Sequence, residues 1–572
     1  YSFYSCSGIT KVQFGKNLTS ISEYAFYCCE SLADLTFPDN LESISEYAFY
    51  GCQSIKSISF PNSLTSMSTW AFAACYNLSE IVFGEGLETI PQYAFFECYE
   101  LNKIKFTENI TKISSYSFSY CQNIDELTLP SHFTKIENYV FYCSGIGKIN
   151  FPENLTTIGV RAFYNCSKLS ELVFPEKFTS LGNESFAFCQ DLTSVTFDQK
   201  LKTIEECSFY GCISLRNVIL SNETTNIKRY AFYDCKMLND LSNLTDTITT
   251  IGEYAFAYCG LNLLHIPENL GTLGEHAFSN SHISGLLNLT CKLKSVSDYC
   301  FYNCDELSSV IFPPDITTIG QNSFYSCSNL QNVEFPDTLK TISLSAFSGC
   351  YMLKDINFSY IETIGARSFA NCRKLERVIL SNRTKSVGEN AFSKCDSLSS
   401  FIIPEELKDE NIGSGMFSEC EGLKGKIVIP SHFNAIPNEM FQRCYNIEEI
   451  EFNNHLTKIG DFAFNSCTNL KQKLEFSNTL VEIGEKAFYN CYQLNGDLIL
   501  PKSLEKIGAS AFENCTGFKN NLEIPGSLTN VADRAFYGCS NFVKLVLNEG
   551  TNRLSSYAFY KCTGFTGPLN LP

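Results

Sequence analysis

Apolar residues recur along this chain with a period close to 23 residues. Aligned on one phenylalanine per repeat, Phe3, Phe26, Phe49, Phe72, Phe95 and onward to Phe559 give 25 positions, and all 24 intervals lie between 22 and 25 residues. Counting from that Phe, a cysteine follows at +3, aliphatic residues at +6 and +9, Phe or an aliphatic at +11, often Pro at +12, and aliphatics at +15 and +18. In the repeat from Phe49 these are Cys52, Ile55, Ile58, Phe60, Pro61, Leu64 and Met67, before Ala71 and Phe72 close it. The alternation at Ile58 and Phe60 predicts a short strand buried on one side. Pro61 ends it, because proline has no amide proton for a ladder. A second extended piece follows, then a polar turn that often carries glycine (Gly159, Gly252, Gly320, Gly460, Gly508), and last an Ala-Phe corner predicted to contain a short helical turn.

One such repeat cannot bury its own apolar side, so its neighbours must. Stacking coil on coil pairs the strands in parallel at ~4.8 Å and places like residue above like. The prediction is one continuous solenoid over 1–572, of about 25 coils with caps and flanks outside this piece, in place of the roughly four globular domains that length alone would give. Its inward ladder includes Phe49, Phe72, Phe95 and Phe324 with Cys52, Cys75, Cys98, Cys121, Cys166 and Cys189. Residues 1–400 hold regular 23-residue repeats and 401–572 mostly 24-residue repeats, so two subregions of differing curvature are expected to meet near 400–425, around Lys408-Asp-Glu-Asn411. In the longer repeats an extra residue enters the strand region, as at Leu494 to Leu498 and Phe518 to Leu522, where it should act as a bulge.

Of 28 cysteines, 23 occupy +3; Phe141 has its Cys early, at Cys143, and Phe278 has Ser281 instead. Two readings compete. The Cys is a small buried thiol at a tight corner, donating weakly to a carbonyl, or neighbouring coils form disulfides. Side chains stacked in register point the same way, whereas a disulfide needs converging Cβ vectors, which favours a reduced ladder. A local disulfide stays open at the irregular Cys28, Cys291 or Cys300. CxxC pairs are absent and His is scarce, so no metal is expected, and His276 and His282 read as surface histidines.

Composition adds limits. Hydrophobic residues at 44% and charged residues at 18% suffice for a folded chain, and the net charge of −18 argues against nucleic acid or an anionic membrane as partner while permitting a basic one. No segment approaches the ~20 apolar residues of a membrane span. No phosphate-binding loop, nucleophile elbow or HExxH motif occurs, so no catalytic residue is assigned. Carboxylate pairs such as Glu205-Glu206 and Glu448-Glu449 read as solvated acids. The twelve Asn-x-Ser/Thr sites, Asn17 to Asn514, barely exceed what composition produces and do not decide the compartment.

Binding is what a solenoid offers, because side chains pointing outward from its strands vary without disturbing the core. Those positions are +7, +8 and +10. They supply a candidate ligand-binding face of Lys56, Lys103, Lys105, Asp125, Glu126, Arg216, Lys354, Asp355, Glu376, Arg377, Glu448, Glu449 and Glu451. It is mixed polar, without an aromatic stripe for sugars or single-stranded nucleic acid, and a protein partner fits best.

The motif CxxLxxIxFPxxLxxIGxxAF, seen as Cys166-Ser-Lys-Leu169-Ser-Glu-Leu172-Val-Phe174-Pro175 and repeated over essentially all of 1–572, resembles the leucine-rich repeats of the BspA-like family. The resemblance implies a leucine-rich-repeat solenoid with short parallel β-strands on the concave face and turns, short helical or 3-10 turns and extended segments elsewhere. It also implies a non-enzymatic, cofactor-free protein at the cell surface or secreted, acting in adhesion or recognition of a host, matrix or same-cell protein. The alternative is an intracellular structural or scaffold rod, cytoplasmic or cytoskeletal, which a column of reduced thiols favours. Unpaired strand edges at Tyr1 and Pro572 also imply end-to-end or homotypic association.

Overall fold

The computed structural model describes residues 1–197, 200–569 and 571, so the strand edge expected at Pro572 lies outside the described residues. Two compact units divide the chain, Tyr1–Ile283 and Ser284–Pro572. Each is a stack of coils.

In the first unit, three-residue strands at +8 to +10 pair in parallel from coil to coil. Ser57–Ser59, Glu80–Val82 and Lys103–Lys105 lie in register, with Ile58, Ile81 and Ile104 side by side facing inward and the residues on either side of them facing out. The second extended piece forms another wall, where Ser20–Ile21, Ser43–Ile44 and Ser66–Met67 pair in the same way. The second unit repeats both walls, as in Arg377–Ile379 with Ser400–Ile402 and Thr318–Ile319 with Thr341–Ile342.

The Ala-Phe corner is a third hydrogen-bonded wall, and it differs from the predicted helical turn. Helix among the described residues is limited to the 3-10 turn Asp409–Asn411. At the corner, residues −2 and +2 from the ladder Phe are left-handed: Tyr24 has φ 52° and Cys28 φ 54°, Tyr47 φ 53° and Gly51 φ 71°. That geometry turns alternate amides along the stack. The amides of Tyr24, Phe26 and Cys28 donate to the Glu46, Ala48 and Tyr50 carbonyls of the next coil at 3.1, 2.8 and 2.7 Å, while those of Ala25, Tyr27 and Cys29 close tight turns within their own coil. In the second unit Asn322, Phe324 and Ser326 donate in the same manner to Leu344, Ala346 and Ser348. A helical turn would spend every amide on its own coil. A left-handed conformation costs a residue with a side chain about 1–2 kcal/mol, and the three inter-coil bonds with the buried Phe between them hold it in place.

Phenylalanine fills the interior. Ladder rings in the first unit stack face to face, from 5.0 Å between centroids at Phe49 and Phe72 to 5.9 Å at Phe118 and Phe141. A second column, Phe37, Phe60 and Phe83 at +11, meets the first edge-on, at 74° for Phe37 on Phe49 and 82° for Phe83 on Phe95. In the second unit the ladder is spaced at 5.3 Å at Phe324–Phe347 and opens to 6.0 and 6.1 Å across Phe392, Phe417 and Phe441. There the 3-10 turn enters, and a single bridge from Val387 to Ile412 stands where the preceding coil pairs two residues, Thr363 with Ser386 and Ile364 with Val387. In the longer repeats the extra residue is accommodated with positive φ: Gly496 at 74°, and Asn520 at 63° where the register shifts between Asn520 and Asn521. Close coil contact also explains the turn glycines, since a Cβ on Gly508 would lie 2.3 Å from the Glu485 amide nitrogen.

Beneath each ladder Phe sits a thiol. Cys52, Cys75, Cys98, Cys121, Cys166 and Cys189 are fully buried free thiols, and each donates to a ladder carbonyl one coil back, Cys52 to Phe26 at 3.1 Å and Cys189 to Phe163 at 3.3 Å. Cys28 and Cys291, where a local disulfide was open, are free thiols as well. Where Cys143 stands one residue early, Ser144 takes the ladder place and hydrogen-bonds Cys166 Sγ at 3.3 Å. At Ser281 the buried hydroxyl finds no partner among the described residues. Burial pushes the thiols up, Cys166 and Cys212 to about 12 and Cys562 to about 11, and Cys75 and Cys98 well above the ordinary value.

Two outcomes follow from this packing. Phe324 is fully buried, so Phe324→Ala should cost about 3–5 kcal/mol and expose the coils on both sides to protease; denaturant melting and limited proteolysis check this, and an unchanged midpoint would place Phe324 outside the interior. The thiols give a pH dependence. In the unfolded chain they ionise from about pH 9, the ordinary range of a thiol, while the folded ladder stays protonated toward about 12. Unfolding then releases protons, and the stabilisation present in full below about pH 9 is lost as pH rises. Denaturation midpoints should fall between pH 8 and pH 10.5, whereas a flat profile would contradict the buried ladder.

Candidate functional site

All thirteen residues of the candidate face are exposed. Lys103 and Lys105 flank Ile104 on one strand, so the period of two sends both outward. Glu126 sits on the neighbouring sheet, where Asn150 Nδ2 donates to its Oε1 at 3.2 Å, and Asp125, Lys56 and Arg216 lie just before their strands. Among the described residues Lys56, Lys103, Lys105 and Arg216 take part in no ion pair.

The second unit arranges its share differently. Lys354 reaches Glu376 at 3.5 Å and Asp355 reaches Arg377 at 3.5 Å, each from one coil to the next. Glu448 pairs with Lys471 at 2.9 Å, and Lys426 bridges Glu451 at 2.8 Å and Glu449 at 3.4 Å. Glu451 and then Glu449 raise the Lys426 ammonium above its ordinary range. These charges largely satisfy one another, and exposed pairs of this kind contribute about 0–1 kcal/mol each. The acids Glu205 and Glu448, each half of a sequence-adjacent pair, are likewise engaged, Glu205 by Lys228 at 2.6 Å. Among the described residues no group of three His, Cys, Asp or Glu side chains is placed to hold a metal ion, and no helix is long and apolar enough to cross a membrane.

Aliphatic side chains hold the +10 position in many coils, a feature the mixed-polar reading passed over. Val173 is 67% exposed, Ile402 56% and Ile379 49%. Val173 and Ile219 flank Thr196 in one three-stranded sheet of the first unit, and Ile379 lies directly beside Ile402 in the second. The signal was present as runs of three apolar residues, Val218-Ile-Leu220 and Val378-Ile-Leu380, in which strand alternation sends the middle one outward. A cleft of about 1100 Å³ opens beside another exposed aliphatic, Ile499, between Asp497, Lys502, Asn521 and Glu523.

Comparison with known proteins matches the same architecture. The model of the BspA type leucine rich repeat region matches in six copies, at residues 1–125, 71–191, 156–284, 294–424, 386–519 and 482–567. Among solved structures, a leucine-rich repeat protein from Bacteroides ovatus is 23% identical over 74% of this chain and 92% of its own, with a TM-score of 0.45. A leucine rich cell surface protein from Faecalibacterium prausnitzii is 21% identical over 63% of this chain and 82% of its own, with a TM-score of 0.28. No curated protein matches the chain. With six matched copies along its length, the chain belongs to the BspA-type leucine-rich repeat family.

Proposed function

We propose that this chain is a non-enzymatic recognition module, at the cell surface or secreted, that binds protein ligands across the outward side of its strands. The observation carrying this reading is the line of exposed β-branched side chains, Val173 and Ile219 in one unit and Ile379 with Ile402 in the other. Exposed branched aliphatics, set in the second unit among charges that are already paired, form a surface whose free energy falls when another protein covers it. The self-paired charges of the second unit fix which orientations are tolerated and add little net attraction.

Family membership supports the surface location, and the thiols do not oppose it. A reduced column favours a reducing compartment only where oxidants can reach it. Here the ladder thiols are buried, protonated and held by carbonyls, which makes them inert.

Two measurements test the reading. A membrane-impermeant label applied to intact cells should modify the protein; protection until lysis would remove the surface role. Covering an isoleucine is worth about 1.5–3 kcal/mol, so the double variant Ile379→Ser/Ile402→Ser should bind a panel of extracellular-matrix proteins at least about tenfold more weakly than wild type. Equal binding by the two would remove the strand face as the contact surface.

A further inference from the structure

The Ala-Phe corner of the first unit carries a second surface, separate from the outward side of the strands. Left-handed residues at −2 present their side chains outward, and the coil spacing brings them to ring-stacking distance. Tyr24, Tyr47, Trp70, Tyr93, Tyr116 and Tyr139 stack in turn at 4.9, 5.9, 4.1, 4.8 and 4.6 Å, with planes within 15° of one another. A second line runs alongside from +1 and +2. Tyr27 stacks on Tyr50 at 5.0 Å, and Phe96, Tyr120 and Tyr142 meet edge to face at 5.4 and 5.7 Å. Between the lines lies a trough, about 340 Å³ where Tyr93, Tyr116 and Tyr139 face Phe96, Tyr120 and Tyr142, and Arg161 closes one end.

Short of Arg161, which is itself paired with Glu184, the charge carried by the corner has one sign. In the six coils from Phe26 to Phe141, positions −3 to +5 contain Glu23, Glu30, Glu46, Glu97 and Glu100 and no Lys or Arg. Among the described residues none of these five carboxylates makes an ion pair. Burial, and then the neighbouring phenols with Glu23 and Glu46, push the Tyr24 hydroxyl above its ordinary range.

The chain shows what such a trough accepts. Where the ring line ends, Arg161 occupies −2: its guanidinium lies 5.9 Å from the Tyr139 centroid and 5.6 Å from Tyr164, and it donates twice to Glu184, at 2.9 and 2.7 Å. The arrangement recurs at Arg229, 4.7 Å from the Tyr230 centroid and paired with Glu253 at 3.2 Å. In the second unit Arg534 covers Tyr537 and Tyr557 at 5.6 and 5.7 Å. A planar guanidinium satisfies ring and carboxylate together, which the compact, strongly hydrated ammonium of lysine does less well. From Phe26 to Phe141 the rings and carboxylates are present and the guanidinium is not.

We infer that this trough binds an arginine-bearing peptide segment of a partner protein, whose guanidinium groups lie between the two ring lines, among their phenol oxygens and the carboxylates beside them. The carboxylates along the two lines supply the attraction, and phenol oxygens that accept from the planar five-donor fork supply the selectivity for arginine over lysine.

Trp70, the chain's one tryptophan, stands in the ring line and stacks on Tyr93 at 4.1 Å, so its fluorescence reports occupancy. The whole chain is titrated with nona-arginine and, separately, nona-lysine at physiological salt. Nona-arginine should give a saturable change with affinity at least about fivefold above that of nona-lysine. Glu46→Gln combined with Glu97→Gln should weaken it by about three- to tenfold, while Glu153→Gln, in an exposed turn outside both faces, leaves it unchanged. Absence of a saturable response overturns the inference. So does equal affinity for nona-lysine, which would reduce the effect to attraction by net charge, or an unaltered affinity in the Glu46/Glu97 variant. A response to a neutral oligosaccharide such as cellohexaose, in place of nona-arginine, would make the trough a sugar-stacking face and overturn it equally.

Discussion

Within each unit, a coil depends on the coil after it. The apolar side of a 23-residue repeat is too small to close on itself, and its corner amides point along the stack, so burial and hydrogen bonding are both completed only by a neighbour in register. A neighbour one residue out of step would place Phe over a polar position and leave three corner amides without acceptors. The ladder Phe, the thiol beneath it and the carbonyl that thiol reaches one coil back therefore recur as one set, seen at Cys52 with Phe26 and at Cys189 with Phe163.

Register explains the irregular coils as well. Where a repeat is longer, the added residue is placed in a positive-φ bulge at the strand margin, as at Gly496 and Asn520, and the ladder remains intact. Where more enters, around Asp409–Asn411, the Phe spacing widens by about half an ångström and a two-residue pairing shrinks to one bridge. Loss of the thiol is tolerated unevenly: Ser144 bonds the next sulfur, while Ser281 keeps a buried hydroxyl without a described partner.

Because the interior is dictated by the stack, the outer positions are free to differ, and two faces have done so in distinct ways. The strand side sets exposed aliphatics among charges, which in the second unit pair between coils. The corner of the first unit gathers tyrosines and unpaired carboxylates. Both depend on translation by one coil: a side chain that would be isolated on a globular surface here has its like a few ångströms away, and a line of them makes a surface.

The repeat length, the inward columns of Phe and Cys, the parallel strands and the bulge in the longer repeats were legible from residue order alone, because buried positions must recur wherever the same wall recurs. The corner was not. Tyr-Ala-Phe-Tyr reads locally as one helical turn, and only the carbonyls of the next coil, absent from any single repeat, make the left-handed alternative at Tyr24 and Cys28 the better one. The same holds for the surface. Residue order placed Lys354, Asp355, Glu376 and Arg377 on the outside, but which of them attract one another depends on a 3.5 Å approach between separate coils. Sequence determines what must be hidden, since burial acts on each residue by its own chemistry; what meets what across the stack is a property of distance, which the tertiary structure alone decides.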